Sequence, residues 1–192
     1  MQITRVEATP KSGEGLRDVR GDVVRRRLKA DHNLDFTKVR SIVGFLINSD
    51  IDATLISERA DDLFADPIIE FSTTNQTFLQ SNNIFDTIPD VVISVGFKPG
   101  VTDNPGKAAL DGFRTIFPNA SQDSDISTYI TYAFYGVGDQ ATPDFIASKL
   151  YNNLIERAVI SDNEMCNNGA VSYTHLRAHE TKANLVCRLL LE

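Results

Sequence analysis

The chain has 192 residues, enough for one ordinary domain or two small ones, and with 42% apolar residues, including 11 Phe and no Trp, it can bury a core. A net charge of −7 and a pI near 5.0 set its surface against nucleic acid and anionic membranes as principal partners. No apolar run approaches the roughly 20 residues that cross a bilayer, the N-terminus lacks the apolar core of a secretory signal, and the only cysteines, Cys166 and Cys187, make no disulfide framework, so a cytoplasmic setting is expected.

In chain order, an apolar segment ending at Pro10 reads as the first strand. Asp18-Val19-Arg20-Gly21 then opens a helical pattern in which Val23, Val24 and Leu28 form one apolar stripe. The basic run Arg25-Arg26-Arg27-Leu28-Lys29 is short and reads as that helix's solvated face. Val39 to Ile47, rich in β-branched and aromatic residues, is predicted as a strand, and Ile51 to Ile56 fits a further one. A helix is expected from an N-cap near Ser57, with Glu58 close behind, to Pro67, because the residue before proline avoids the α region. A strand over Ile68 to Ser72 follows. Gln76 to Pro89 is a linker, and its Phe78, Leu79, Ile84 and Phe85 predict that it packs on the body.

A strand from Val91 leads into Lys98-Pro99-Gly100-Val101-Thr102-Asp103, with Pro99-Gly100 predicted as a turn and Asp103 as a helix cap ahead of Pro105. Ala109, Leu110, Phe113, Ile116 and Phe117 share one face of the helix that follows. Ile126 to Tyr135 reads as a strand, a helix starts at Thr142-Pro143-Asp144, and Ala158 to Ser161 reads as the last strand.

Three markers recur in the same order at offsets of 85 to 87 residues. Asp18-x-x-Gly21 returns as Asp103-x-x-Gly106, and the strand at Val39 returns at Ile126. The segment Leu63 to Glu70 returns as Leu150 to Glu156, one residue shorter. Setting Pro10 against Pro99 makes Lys11-Ser12-Gly13-Glu14 an insertion. The expected fold is α+β: tandem duplicated units of strand–helix–strand–helix–strand, with antiparallel sheets, two or one continuous, covered by helices. Repeat 1 spans 1–75, a linker 76–89, repeat 2 90–162, and a tail 163–192.

The stretch Val91 to Ala108, with Lys98, Pro99, Gly100, Val101, Asp103 and Gly106, resembles the opening of the PurS family. There a first strand enters a Lys-Pro-Gly-Val-x-Asp-x-x-Gly loop and then a helix. The family's closing Leu-Leu-Ala-Asn-Pro-x-Ile-Glu signature is similar to the segment holding Leu63, Ala65, Asp66, Pro67, Ile69 and Glu70, and less fully to that holding Asn153, Ile155 and Glu156. The first copy departs at the loop, where Pro10-Lys11-Ser12-Gly13 replaces Pro-Gly-Val. The resemblance covers about residues 1–162.

It implies PurS-like units of the kind fused in tandem at the N-terminus of single-chain phosphoribosylformylglycinamidine synthase. That ligase of purine biosynthesis uses ATP and glutamine to turn formylglycinamide ribonucleotide into the formylglycinamidine. The implied role is a non-catalytic scaffold bridging the synthetase and glutaminase parts, fused or separate. ATP and Mg belong to the whole enzyme, and no catalytic, cofactor or metal residue is expected in this stretch, which alone is expected to be inactive. The alternative is a stand-alone α+β binding or assembly module without enzymatic activity.

His32 reads as a residue of a helix end. Asp61-Asp62 and Asp123 with Asp125 suit caps and solvated charge better than acid–base or cation chemistry. Tyr129, Tyr132 and Tyr135 on one alternating strand divide between core and interface. Cys166, His175, His179 and Cys187 match no common zinc spacing. The tail holding them resembles a spurious translation of sequencing-adapter DNA, so it is expected to be non-native.

Overall fold

The computed structural model describes residues 1–13, 16–80, 87–139 and 141–162. In chain order these form β1 (Gln2–Pro10), α1 (Val19–His32), β2 (Lys38–Ser49), α2 (Ala53–Glu58), α3 (Ala60–Phe64), β3 (Glu70–Thr74), a 3-10 turn (Phe78–Gln80), β4 (Val91–Phe97), α4 (Asn104–Ile116), β5 (Asp125–Tyr135), α5 (Pro143–Ser148) and β6 (Glu156–Asp162). The strands make one six-stranded sheet in the order β3-β1-β2-β5-β4-β6, with every neighbouring pair antiparallel. Exchanging β1, β2 and β3 for β4, β5 and β6 maps this order onto itself. The central seam is the β2–β5 pair, running from Lys38 opposite Tyr135 to Asn48 opposite Asp125.

Alternation along the strands sends successive side chains to opposite faces. On the helix-covered face two apolar clusters form, and each draws on both halves of the chain. Val24 and Leu28 of α1 join Ile146 and Ala147 of α5 over Val39, Val91, Ile93 and Phe134. Ile56, Ala60 and Phe64 of the short helices join Phe113 of α4 over Val6, Ile47 and Ile126. Burying one such side chain stabilises the fold by roughly 1.5–3 kcal/mol, so neither half carries a complete core alone. On the opposite face Phe78, from the connector, is 1% exposed among Ile42, Val92, Ala133 and Tyr135. The expected packing of the connector therefore holds at Phe78 and Leu79, whereas Ile84 and Phe85 lie outside the described residues.

Several sequence expectations are corrected. Ile51 to Ile56 is no strand: Asp52 accepts a hydrogen bond from the Thr54 N–H (2.8 Å) and starts α2 at Ala53, burying Ile56. Ser57 accordingly lies inside α2, and the helical stretch breaks at Arg59. The strand expected from Ile68 starts at Glu70, because residues 66–69 are spent on a turn. On α1 the buried stripe is Gly21, Val24 and Leu28, while Val23, about 100° round the helix from its neighbour Val24, is exposed.

Candidate functional site

The family-like residues come together as a loop, a helix cap and a turn, built once in each half. Asp103 caps α4 by accepting from the Gly106 N–H (2.7 Å), and its second oxygen accepts from the Thr128 N–H (2.6 Å) of β5. The Thr128 hydroxyl donates to the same carboxylate at 3.0 Å. Asp18 repeats the arrangement: it accepts from the Gly21 N–H and the Ser41 hydroxyl, at 2.7 and 2.8 Å, and from the Ser41 N–H. One carboxylate thus starts each long helix and pins it to the strand beneath. The glycines are needed for that contact, since a Cβ at Gly21 would lie 2.2 Å from the Val39 carbonyl oxygen, and one at Gly106 2.4 Å from that of Ile126.

The closing signatures are turns, also built twice. Asp66 Oδ1 accepts from the Ile68 N–H (2.9 Å) and Glu70 Oε2 from the Asp66 N–H (3.0 Å). Asn152 and Glu156 make the matching bonds at 3.0 and 2.7 Å. A lysine ties loop to turn in each half: the Lys11 ammonium donates to the Pro67 carbonyl, and that of Lys98 to the Asn153 carbonyl. Backbone bonds run in parallel, from the Lys11 N–H to Ile69 (2.8 Å) and from the Lys98 N–H to Ile155 (2.9 Å). Leu63 stands apart from these turns, on α3 against α4.

These bonds correct the alignment of the two loops. Lys11 corresponds to Lys98, so the first loop is longer by two residues, not four, and Pro10 is not the counterpart of Pro99. In the second half Lys98-Pro99-Gly100-Val101 closes a turn, with the Val101 N–H donating to the Lys98 carbonyl (3.1 Å) and Gly100 at φ +81°. In the first half the Leu16 N–H donates to the Gly13 carbonyl (2.8 Å).

That longer loop leaves an open cleft of about 330 Å³ lined by Pro10, Lys11, Leu16, Arg17, Val19, Arg20, Ile69 and Glu70. Leu16, Val19 and Ile69 are 40%, 58% and 45% exposed, so apolar surface faces solvent there. Lys11 lies 5.1 Å from the Phe71 ring centroid beside it. Sequence reasoning names Lys11, Val19, Arg20, Ile69 and Glu70 within its repeat and signature segments, but brings neither them nor Leu16 and Arg17 together as one surface. The available sign is Val19 and Val23 on the side of α1 away from Val24 and Leu28.

A second polar centre sits on the connector-covered face. Glu7 is fully buried; its Oε1 accepts from the Tyr129 hydroxyl (2.9 Å) and lies 4.0 Å from Arg5 Nε, and its Oε2 accepts from the Phe78 N–H (3.0 Å). Burial pushes the Glu7 carboxyl above the usual glutamate range, against the opposing pull of the Phe78 N–H, Arg5 and the Tyr129 hydroxyl. Tyr129 reaches Glu7 across Gly44, the residue between them in the register.

Of the tyrosines expected to divide between core and interface, Tyr129 and Tyr135 are buried on the connector face and Tyr132 is half-buried on the other. Desolvation raises the Tyr132 hydroxyl above the ordinary tyrosine value. His32 ends α1 and meets the Phe145 ring edge-on at 6.1 Å. Asp61 accepts from the Ser72 hydroxyl, and Asp62 pairs with Arg59 at 3.2 Å. Cys166, His175, His179 and Cys187 lie outside the described residues. Among the described residues no group of three or more His, Cys, Asp or Glu side chains could hold a metal, and no helix is long and apolar enough to cross a membrane.

No protein-family model matches the chain, and a search of curated proteins finds no match.

Proposed function

We propose that residues 1–162 are a non-catalytic scaffold: two PurS-like units in tandem, bridging the synthetase and glutaminase parts of a cytoplasmic phosphoribosylformylglycinamidine synthase. The observation that carries this reading is the twofold use of one hydrogen-bonded set. Lys11, Asp18, Gly21, Asp66 and Glu70 in the first half are answered by Lys98, Asp103, Gly106, Asn152 and Glu156 in the second. These residues lie within residues 1–162, over which the resemblance to the PurS family runs, although Lys11 sits in the loop where the first copy departs from it, and they are engaged in holding loop, helix and strand together. ATP, Mg and the catalytic cysteine would then come from the other parts of the enzyme. The coding frame in the source genome tests this. Continuation of the same frame into ATP-binding and glutaminase segments supports it; a frame fused to neither, together with no association of the chain with separate synthetase and glutaminase subunits, overturns the scaffold reading. The alternative of a stand-alone binding module draws on the first-half cleft, which the second half does not match with an equivalent loop.

A further inference from the structure

We propose that the cleft between the end of β1, the start of α1 and the turn before β3 seats an acidic, apolar segment of a partner polypeptide. A bulky apolar side chain would enter between Leu16, Val19 and Ile69, and flanking carboxylates would meet Arg17 and Arg20. The proposal deepens the scaffold reading by naming the face and the chemistry of its partner, and it rests on that reading.

Charge complementarity selects the occupant. The chain as a whole carries −7, yet among the described residues the cleft gathers Lys11, Arg17 and Arg20 against the one carboxylate of Glu70. Lys11 is engaged by the Pro67 carbonyl, and Glu70 by the Asp66 N–H. Arg17 and Arg20 are exposed and make no hydrogen bond or ion pair among the described residues. Two cations are therefore available beside apolar surface, on a protein whose net charge repels acids. Exposed charges of this kind raise the rate of encounter and select the sign of the partner, while the apolar anchor supplies most of the affinity. The volume of about 330 Å³ is at the small end of ligand pockets, roughly 300–1,000 Å³, and the cleft is open, which suits one inserted side chain of a longer segment.

The test is a selection of random peptides displayed on phage against the full chain, repeated on the Arg17→Glu/Arg20→Glu and Val19→Gln variants. Both changes lie at exposed positions, and unchanged thermal melting verifies that the variants fold. The expected result is enrichment of peptides with Asp or Glu flanking a bulky apolar residue. Their binding should weaken at least about tenfold on reversal of the arginines and in high salt, and also with Val19→Gln. No enrichment, enrichment of basic peptides, or binding indifferent to Arg17 and Arg20 would overturn the proposal. Competition by millimolar inorganic phosphate with loss of the apolar requirement would overturn it in favour of a small-anion site. The outcome is separable from the scaffold reading, because that reading fails in the coding frame and in subunit association, and this one in the selection.

Discussion

Gly44→Ala should unsettle the joint between the two halves. Glycine in a strand interior is ordinarily the poorer choice, and replacing it by alanine gains roughly 0.5–1 kcal/mol. Here the sign reverses, because a Cβ at Gly44 would lie 2.0 Å from Tyr129 Cζ and within 2.4 Å of both neighbouring ring carbons. The ring must shift, and overpacking of this kind costs about 1–3 kcal/mol. A displaced ring also draws its hydroxyl from Glu7, and a lost hydrogen bond to a buried carboxylate adds about 1.5–3 kcal/mol. The total is about 2.5–6 kcal/mol, which at about 2–4 °C per kcal/mol lowers Tm by at least about 5 °C. Thermal melting by circular dichroism measures it. In a Tyr129→Ala background the same change has no ring to strike and should cost under about 1 kcal/mol. A Gly44→Ala protein melting within about 2 °C of the parent, or an equal cost in both backgrounds, would refute the reasoning.

Glu7→Gln tests the buried carboxyl. Its folded pKa is raised, so its contribution to stability is full below the ordinary glutamate value and is lost as pH rises through the folded value. The stability difference between the two proteins should move in favour of the Glu7→Gln variant with rising pH, and parallel urea-denaturation curves from pH 4 to 8 would contradict it. Asp18→Ala and Asp103→Ala each remove a helix cap and leave a strand N–H without its acceptor, about 2–4 kcal/mol together. Asp18, the more buried of the two and 4.0 Å from Arg40, should be the costlier loss in chemical denaturation. Residues 1–75 expressed alone should show no cooperative unfolding transition, since both helix-face clusters need residues from beyond position 90; a sharp two-state melt would refute shared cores.

Local chemistry makes part of this structure legible in advance. Asp103 announces a helix start because an acid before Pro105 has little else to do, and Lys98-Pro99-Gly100-Val101 is a turn because Gly100 supplies a positive φ. The second role of each aspartate, holding Ser41 or Thr128 on a distant strand, depends on sheet register and leaves no mark near residues 18 or 103. The α2 segment misleads because Thr54, Leu55 and Ile56 suit a strand by composition, whereas one cap at Asp52 decides for helix. Glu7 and Gly44 carry faint signals, an acid within Val6-Glu7-Ala8 and a glycine within a β-branched run; either marks a special contact without naming its partner. The cleft is obscured because Val19 and Val23 look like core residues until the stripe of Gly21, Val24 and Leu28 is seen to face the sheet.

The pairing of β2 with β5 also governs how the chain must be made. Each residue from Lys38 to Asn48 waits for a partner 77 to 97 positions further along. At ribosomal rates of roughly 5–20 residues per second, β2 is finished about 4–20 s before β5 exists. During that interval β1 can zip along one edge of β2, but the other edge offers bare amides and carbonyls to whatever strand arrives first. On a crowded polysome that strand can be the β5 of a neighbouring nascent chain. The yield of monomer over strand-exchanged dimer should therefore depend on how fast residues 50–135 are translated and on which chaperones meet them.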